Sequence, residues 1–438
     1  MSSIPEPLHH HLVQLRRVIH EYPELSGQEA NTAALICKFL DGYGISYRRD
    51  VAGHGVVADL PGPAGVPAVV LRADTDALPI QEDTGLEFAS VHDGVMHACG
   101  HDGHTAMLLG AAALLSQEPN LPAPVRCLFQ PSEEKGTGAK DMITAGVLDG
   151  AGMVFGGHLD RHYYPGAIVV ADGAVNASSD NFSIEIVGQG AHGARPHESI
   201  DAVVVGSLMI MALQTIVSRE IDPARPSVVS VGQFHAGTAP NVIAGQARLS
   251  GTVRAQDPAV RQQLLKSLRR IAESIAQLHG AKIQVTIAEG TPPLINSAEM
   301  ATLARRAAVE AVGETNVLPL KTANMGAEDF SYYMEHVPGA YVRFGGQAPG
   351  KEGFPAHSSK WDFDESALAV GAAYYRAVAK IAGEELRRRT AARYVDRDRC
   401  PPSVFGRPAK KMSARSARFF TRSTAPTTRI ANSTTSSG

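Results

Sequence analysis

Apolar residues recur along this chain with two alternating periods. His9 to Tyr22 sets Leu12, Leu15, Val18 and Ile19 on one helical face. Ser26 with Glu29 reads as a capping box that opens a second helix, lined by Ala33, Ile36, Cys37 and Leu40. Ala68–Leu71, Val125–Phe129 and Met153–Phe155 are short apolar runs of buried-strand type, and TAMLLGAAALL forms a helix between the first two. Such strand–helix alternation predicts a mostly parallel sheet covered by helices. The pattern changes near Ser178. Phe182 to Val187 alternates strictly, as a half-exposed strand does. A helix over Ile200–Val217 follows, then strands Val228–Phe234 and Arg248–Val253. Val260, Leu264, Leu265, Leu268, Ile271, Ile275 and Leu278 mark an amphipathic helix, and Ile283–Ile287 a last strand. This β-α-β-β-α-β order is that of a ferredoxin-like sandwich. A helix over Ala298–Val312, a strand over Ala340–Phe344 and a closing helix over Ser366–Leu386 complete the pattern. The expectation is an α/β protein of two domains. Residues 1–177 and 291–386 form the first, residues 178–290 are a ferredoxin-like insertion, and 387–438 are a tail.

Composition changes this picture little. At 438 residues, 44% hydrophobic and 19% charged, the chain has room for more than one core and the make-up of a globular protein. Four scattered cysteines make no disulfide framework, which fits a reducing, cytoplasmic setting. MSSIPEPLHHH has neither a basic nor an apolar leader region. The most apolar run, Ala202–Val217, is shorter than the ~20 residues of a membrane span and reads as a buried helix. No membrane partner is expected. Charge is uneven: from Leu386 onward there are 13 Lys/Arg against 2 Asp/Glu. The tail also lacks an apolar period, so the expectation is a disordered, solvated extension. A polyanion-binding role is the sharper, less favoured alternative, and the acidic body gives no reason to expect nucleic acid.

The chemistry gathers at strand ends, where α/β sheets present ligands and catalytic groups. HACGHDGH packs Cys99, His101, Asp102 and His104 into a few residues, the donor types that zinc or manganese takes. The bland alternative is a helix start with a buried cysteine. Glu133 and Glu134 are adjacent carboxylates, whose roles must differ if both are buried: one ligates, the other accepts a proton. A solvated helix start is the alternative there. His158 and His357 lie far off in sequence, and only the fold can bring them in.

Taken together, RADTDALP, HACGHDGHTAMLLGAA, QPSEEKGTGAKDMI, GAHGARPHESIDAV, APNVIAGQARLSGTVR, MGAEDFSYY and AHSSKWDFDE resemble the aminoacylase-like metallopeptidase family. The likeness is to its N-acyl-amino-acid amidohydrolases, the hippurate hydrolases and plant-type auxin–amino-acid conjugate hydrolases, and covers roughly residues 8–385. It implies a dimetal-peptidase catalytic domain with an inserted lid and dimerisation domain. It implies two divalent ions per subunit, Mn2+ or Zn2+, held by Cys99, His101, Glu134, His158 and His357, with Cys99 bridging. Glu133 would be the general base, and Asp76 a carboxylate orienting a ligand. His192 would come from a partner subunit to the developing oxyanion, making a homodimer through residues 178–290. Asn241 and Arg254 would hold the substrate's α-carboxylate. The implied reaction converts an N-acyl amino acid to a carboxylate and a free amino acid. Gly326 would help shape the pocket.

One segment departs from the family pattern. LDRHYYPG follows His158 where an aromatic–proline pair is usual, so the resemblance does not fix the acyl pocket or the substrate preference, and Asp160 is a candidate partner for His158. Three rival readings remain: a dipeptidase or carboxypeptidase of the same family, a thiol hydrolase with Cys99 as nucleophile, and a non-catalytic metal-binding protein.

Overall fold

The computed structural model describes residues 4–350 and 354–399. The chain enters through helices α1 (Glu6–Glu21) and α2 (Ala30–Gly42), then strands β1 (Tyr47–Val51), β2 (Gly55–Leu60) and β3 (Ala68–Asp74). Helix α3 (His101–Ser116) follows, then β4 (Val125–Gln130), α4 (Gly138–Thr144), β5 (Ala151–Asp160), β6 (Ile168–Val169) and β7 (Gly173–Asn176). The inserted lobe comprises β8 (Asp180–Val187), β9 (Ala191–His192), α5 (Ala202–Thr215), β10 (Ser227–Ala236), β11 (Val242–Ile243), β12 (Gln246–Ala255), α6 (Pro258–Leu278) and β13 (Lys282–Ala288). The body resumes with β14 (Leu294–Asn296), α7 (Ala298–Val312), β15 (Val317–Leu318), α8 (Ser331–His336), β16 (Gly339–Gly345) and α9 (Ala367–Arg399).

The body is an eight-stranded sheet in the order β1-β2-β4-β3-β5-β16-β6-β15. Its centre, β4-β3-β5-β16, is parallel throughout. Every residue of β3 and β16 is buried, as strands covered on both faces require. Val69, Leu71, Phe155 and Val342 face a core shared with α1, α2, α3, α7 and α9. Val57, Val70, Leu128 and Val154 face the opposite core, with α4 and α8. The inserted lobe is a four-stranded antiparallel sheet, β10-β12-β8-β13, carrying α5 and α6 on a core of its own. This is the α/β, two-part architecture with a ferredoxin-like insertion that the apolar pattern implies.

Four local expectations change. Ser26 and Glu29 do not cap α2; the Glu24 carboxylate accepts the N–H groups of Asn31 and Thr32 instead. Ser26 and Glu29 turn to Asp76 and to the Ser132 N–H, so tertiary partners overrode the local motif. The pattern does not announce the antiparallel pair β1 and β2: β1 is a polar, largely exposed edge, whereas β2 is buried but for Asp59. Helix α5 is not buried all round. Val203, Val204, Leu208 and Met211 are exposed, Met211 by 69%, because the helix turns Ala202, Val205, Met209 and Leu213 into the lobe's core, with Ile210 and Ala212 partly buried against it. With the following turn it is the one described helix long and apolar enough to cross a membrane, by length and composition. Finally, α9 runs beyond Leu386 to Arg399. Glu385 pairs with Arg388 and Arg389 one turn on, which supports the continued helix. The rest of the expected tail, from Cys400, lies outside the described residues.

Candidate metal centre

Parallel strands deliver their C-terminal ends to one edge of the sheet. Here β3 leads to Asp76, β4 to Glu133 and Glu134, and β5 carries His158. The turn before α3 adds Cys99 and His101, and the segment before α9 adds His357. Side-chain donors of Cys99, His101 and His158 lie within 4.8 Å of one another. So do those of Cys99, Glu134 and His357, and those of His101, Glu133 and Glu134. Individual contacts are Cys99 Sγ to His158 Nε2 at 3.3 Å, His357 Nε2 to Glu134 Oε1 at 3.4 Å, and His101 Nε2 to Glu134 Oε1 at 3.9 Å. Cys99 belongs to two of these sets.

The surroundings aim the donors. His101 Nδ1 lies 2.8 Å from the Asp76 carbonyl oxygen and 3.2 Å from its Oδ1, which turns Nε2 inward. Asp76 Oδ2 accepts from the Ser26 hydroxyl at 2.6 Å and from the Glu134 N–H at 3.0 Å. One carboxylate therefore places two donors. His158 Nδ1 faces the Leu159 carbonyl oxygen at 2.6 Å. The expected partner Asp160 is instead bound to His162, at 2.9 Å from its N–H and 2.7 Å from its Nδ1. Among the described non-glycine residues four have positive φ, and two of them, Ser132 at 60° and His357 at 69°, adjoin this cluster. Backbone held in that region is a cost that persists where the fold over-determines it.

The electrostatics separate the roles. Burial, then Glu328, Asp329 and Glu134, push the Glu133 carboxyl well above its usual range, a setting suited to taking and returning a proton. Its Oε1 also accepts from the Asp329 N–H at 3.4 Å. Burial and then the charges of His104 and Arg343 hold His158 well below the usual imidazole range, which keeps it neutral. Burial opposes charge on His101, but Asp74, Asp76 and Cys99 outweigh it and raise its pKa well above the ordinary value. Burial and Glu134 push the Cys99 thiol up, so without a cation it is a thiol, not a thiolate nucleophile. The donors fit a pair of divalent cations. Among the described residues, buried His101 Nε2 and Glu134 Oε1 have no hydrogen-bond partner, and orphaned lone pairs beside a thiol and two more imidazoles are what such ions would satisfy.

A cavity of 840 Å3 opens over the cluster, lined by Cys99, Glu133, Glu134, His158 and His357 and, from the inserted lobe, Arg254. Arg254 Nη1 donates to the Met325 carbonyl at 3.0 Å. His192 and Asn241 are not among its lining residues. They lie exposed on the β9–β11 ribbon, where the Gly193 N–H donates to the Asn241 carbonyl at 2.8 Å. Asp102 and His104 lie behind the donors. Asp102 binds Arg16 at 2.8 Å, and His104 binds Asp74 at 2.6 Å. Asp74, Asn176, Glu328, Asp329 and Arg343 were missed in the sequence. RADTDALP and MGAEDFSYY carry a visible signal for the three acids; Asn176 and Arg343 carry none.

The model of the Peptidase family M20/M25/M40 matches residues 70–381. The chain belongs to this family. Among curated M20/M25/M40 relatives it is 40% identical to an N-acyl-L-amino acid amidohydrolase of Geobacillus stearothermophilus, covering 79% of this chain and 94% of that one. It is also 40% identical to thermostable carboxypeptidase 1 of Saccharolobus solfataricus, over 82% and 92%. Among solved structures it matches a dinuclear metal binding peptidase from the M20 family of Bacillus subtilis. That likeness has a TM-score of 0.76 and 36% identity, covering 87% of this chain and 99% of that one.

Proposed function

We propose that this chain is a metal-dependent amidohydrolase that cleaves N-acyl amino acids to a carboxylate and a free amino acid. The observation that carries the reading is one cavity lined by Cys99, Glu134, His158 and His357, the carboxylate of Glu133 and the lobe's Arg254, over a donor cluster that buried His101 completes. Cys99, His101, Glu134, His158 and His357 would hold two divalent ions, Mn2+ or Zn2+, with Cys99 shared between them. Such ions, when bound, polarise an amide carbonyl and ease ionisation of water at neutral pH. Glu133 takes the proton from the attacking water and returns it to the leaving nitrogen as the C–N bond breaks. Asp76 keeps His101 and Glu134 in place. Arg254 receives the α-carboxylate, a bidentate task suited to a guanidinium.

His192 and Asn241 lie away from their own cavity, so in this reading a second copy of the chain supplies them. His192 donates to the oxyanion and Asn241 helps to hold the α-carboxylate. The exposed apolar face of α5 supports a homodimer through the inserted lobe. The amidohydrolase and dinuclear-peptidase relatives support the activity and the metal pair. The carboxypeptidase relative favours a second reading, a peptide substrate in the same site. The reading involves neither nucleic acid nor membrane. It places the enzyme in the cytoplasm, where the buried Cys37, Cys99 and Cys127 stay reduced.

The test is release of free amino acid from a panel of N-acyl amino acids, beside peptides with the same C-terminal residue, in Mn2+ and in Zn2+. Turnover of the acyl compounds is expected. Faster cleavage of the peptides would favour the carboxypeptidase reading, and no cleavage of either class would overturn both.

A further inference from the structure

Arg343 is a buried cation that the reaction above leaves unused. It sits on β16 across the parallel ladder from His158 on β5. It is 6% exposed and lines the cavity. Among the described residues its guanidinium forms no ion pair. It donates one hydrogen bond, to Asn176 Oδ1, and its Cζ stands 5.7 Å from the Tyr341 ring centroid. The other fully buried arginines are treated differently. Arg16 is bound by Asp102, Asp362 and Glu365, and Arg72 by Asp74, Glu328 and Asp329. A guanidinium has five N–H donors, and burying its charge against one neutral acceptor is costly until an anion joins it.

The setting fixes where that anion would come from. Asn176 Nδ2 donates to the Gly326 carbonyl at 3.1 Å, so its Oδ1 is held toward Arg343. Arg254 binds the neighbouring Met325 carbonyl of the same turn. Two guanidinia, one from the body and one from the inserted lobe, thus flank one turn and open on one cavity. If the scissile amide sits at the donor cluster and the α-carboxylate on Arg254, the β5–β16 wall of the cavity is left for the acyl half. His158, Arg161, His162 and Arg343 line that wall.

We propose that Arg343, oriented by Asn176, is a subsite for a second anionic group, carried by the acyl half of the substrate. The preferred substrates are then N-(carboxyacyl) amino acids, the monoamides of dicarboxylic acids. This rests on the N-acyl amino acid reading and narrows it. A neutral acyl chain leaves Arg343 without a counter-charge; a terminal carboxylate meets it with charge-assisted hydrogen bonds.

The experiment compares N-glutaryl with N-pentanoyl derivatives of one amino acid, and glutarate with pentanoate as ligands of the metal-loaded protein by calorimetry. The wild type is expected to favour the glutaryl compound in kcat/KM by at least about tenfold, the worth of one charged hydrogen bond. Glutarate is expected to bind correspondingly tighter than pentanoate, which controls for carboxylate binding elsewhere in the site. Arg343→Met is expected to collapse both ratios toward unity, and Arg343→Lys to retain part of each. Equal or better use of the pentanoyl compound, with no preference for glutarate in the wild type, would overturn the proposal. If neither amide is cleaved, the N-acyl reading fails. The glutarate-to-pentanoate binding ratio and its response to Arg343→Met still decide the subsite.

Discussion

His104 and His158 stand edge to face with ring centroids 4.6 Å apart, and His104 Nε2 accepts the Leu159 N–H at 2.9 Å. A residue on α3 thus holds the strand position next to a proposed metal donor. Asp74 fixes the other nitrogen of His104 at 2.6 Å. Second-layer partners of this kind typically govern 10–100-fold in metal affinity. His104→Phe keeps the ring and removes both hydrogen bonds. A loss of about 10–100-fold in affinity for Zn2+ is expected in a competition titration with a coloured chelator. Unchanged affinity would reduce His104 to a space-filling role.

The opposed duties proposed for the neighbours Glu133 and Glu134 are measurable. Glu133→Gln is expected to lower kcat by about 10²–10⁴-fold while the metal content stays at the wild-type level. Glu134→Gln is expected to lower the metal content itself. Elemental analysis beside steady-state kinetics separates the two, and a metal-depleted Glu133→Gln protein would contradict the assignment.

Much of this arrangement is legible in the sequence. The strand runs ending near Asp76, Glu133 and His158 are apolar and short, and their polar successors mark the edge where the candidate donors gather. What escapes is whatever depends on tertiary partners. Ser26 and Glu29 match a helix cap by spacing, yet Asp76 and the Ser132 N–H claim them. The apolar run of α5 says how greasy the helix is, not which face finds a core. Arg343 is a lone charge inside AYVRFGG. Only its pairing with β5 shows that it stands beside His158, and only the ion-pair pattern shows that it lacks a counter-charge among the described residues.

The salt-bridged layer beneath the site makes a stability prediction. Asp102 is fully buried against Arg16 and His20. Burial alone would raise its pKa, but Arg16 and His20 outweigh burial and depress it below the usual carboxylate range. A depressed carboxylate contributes stability above its unfolded pKa of about 4, and this is lost as the pH falls further. Asp102→Asn is expected to cost about 1–3 kcal/mol at pH 7, because Arg16 loses its one fully buried carboxylate partner while Asp362 and Glu365 remain. Urea unfolding at pH 7 and below pH 4 checks this. The gap between variant and wild type should narrow on acidification.

The exposed stripe of α5 makes the proposed dimer testable. Met211→Glu is expected to shift the protein to a monomer in light scattering. Loss of the partner's oxyanion donor is expected to lower kcat by about 10²–10³-fold. A strictly monomeric variant with full turnover would rule out a part for His192 across the interface.

The central claim is that the five donors hold two ions on which hydrolysis depends. The most direct measurement is titration of chelator-treated protein with Mn2+ or Zn2+, following bound metal and N-acyl amino acid hydrolysis in the same samples. The expected result is no hydrolysis in the stripped protein and full recovery as bound metal approaches two ions per chain. Undiminished hydrolysis in the stripped protein, or saturation of activity with no metal bound, would contradict it.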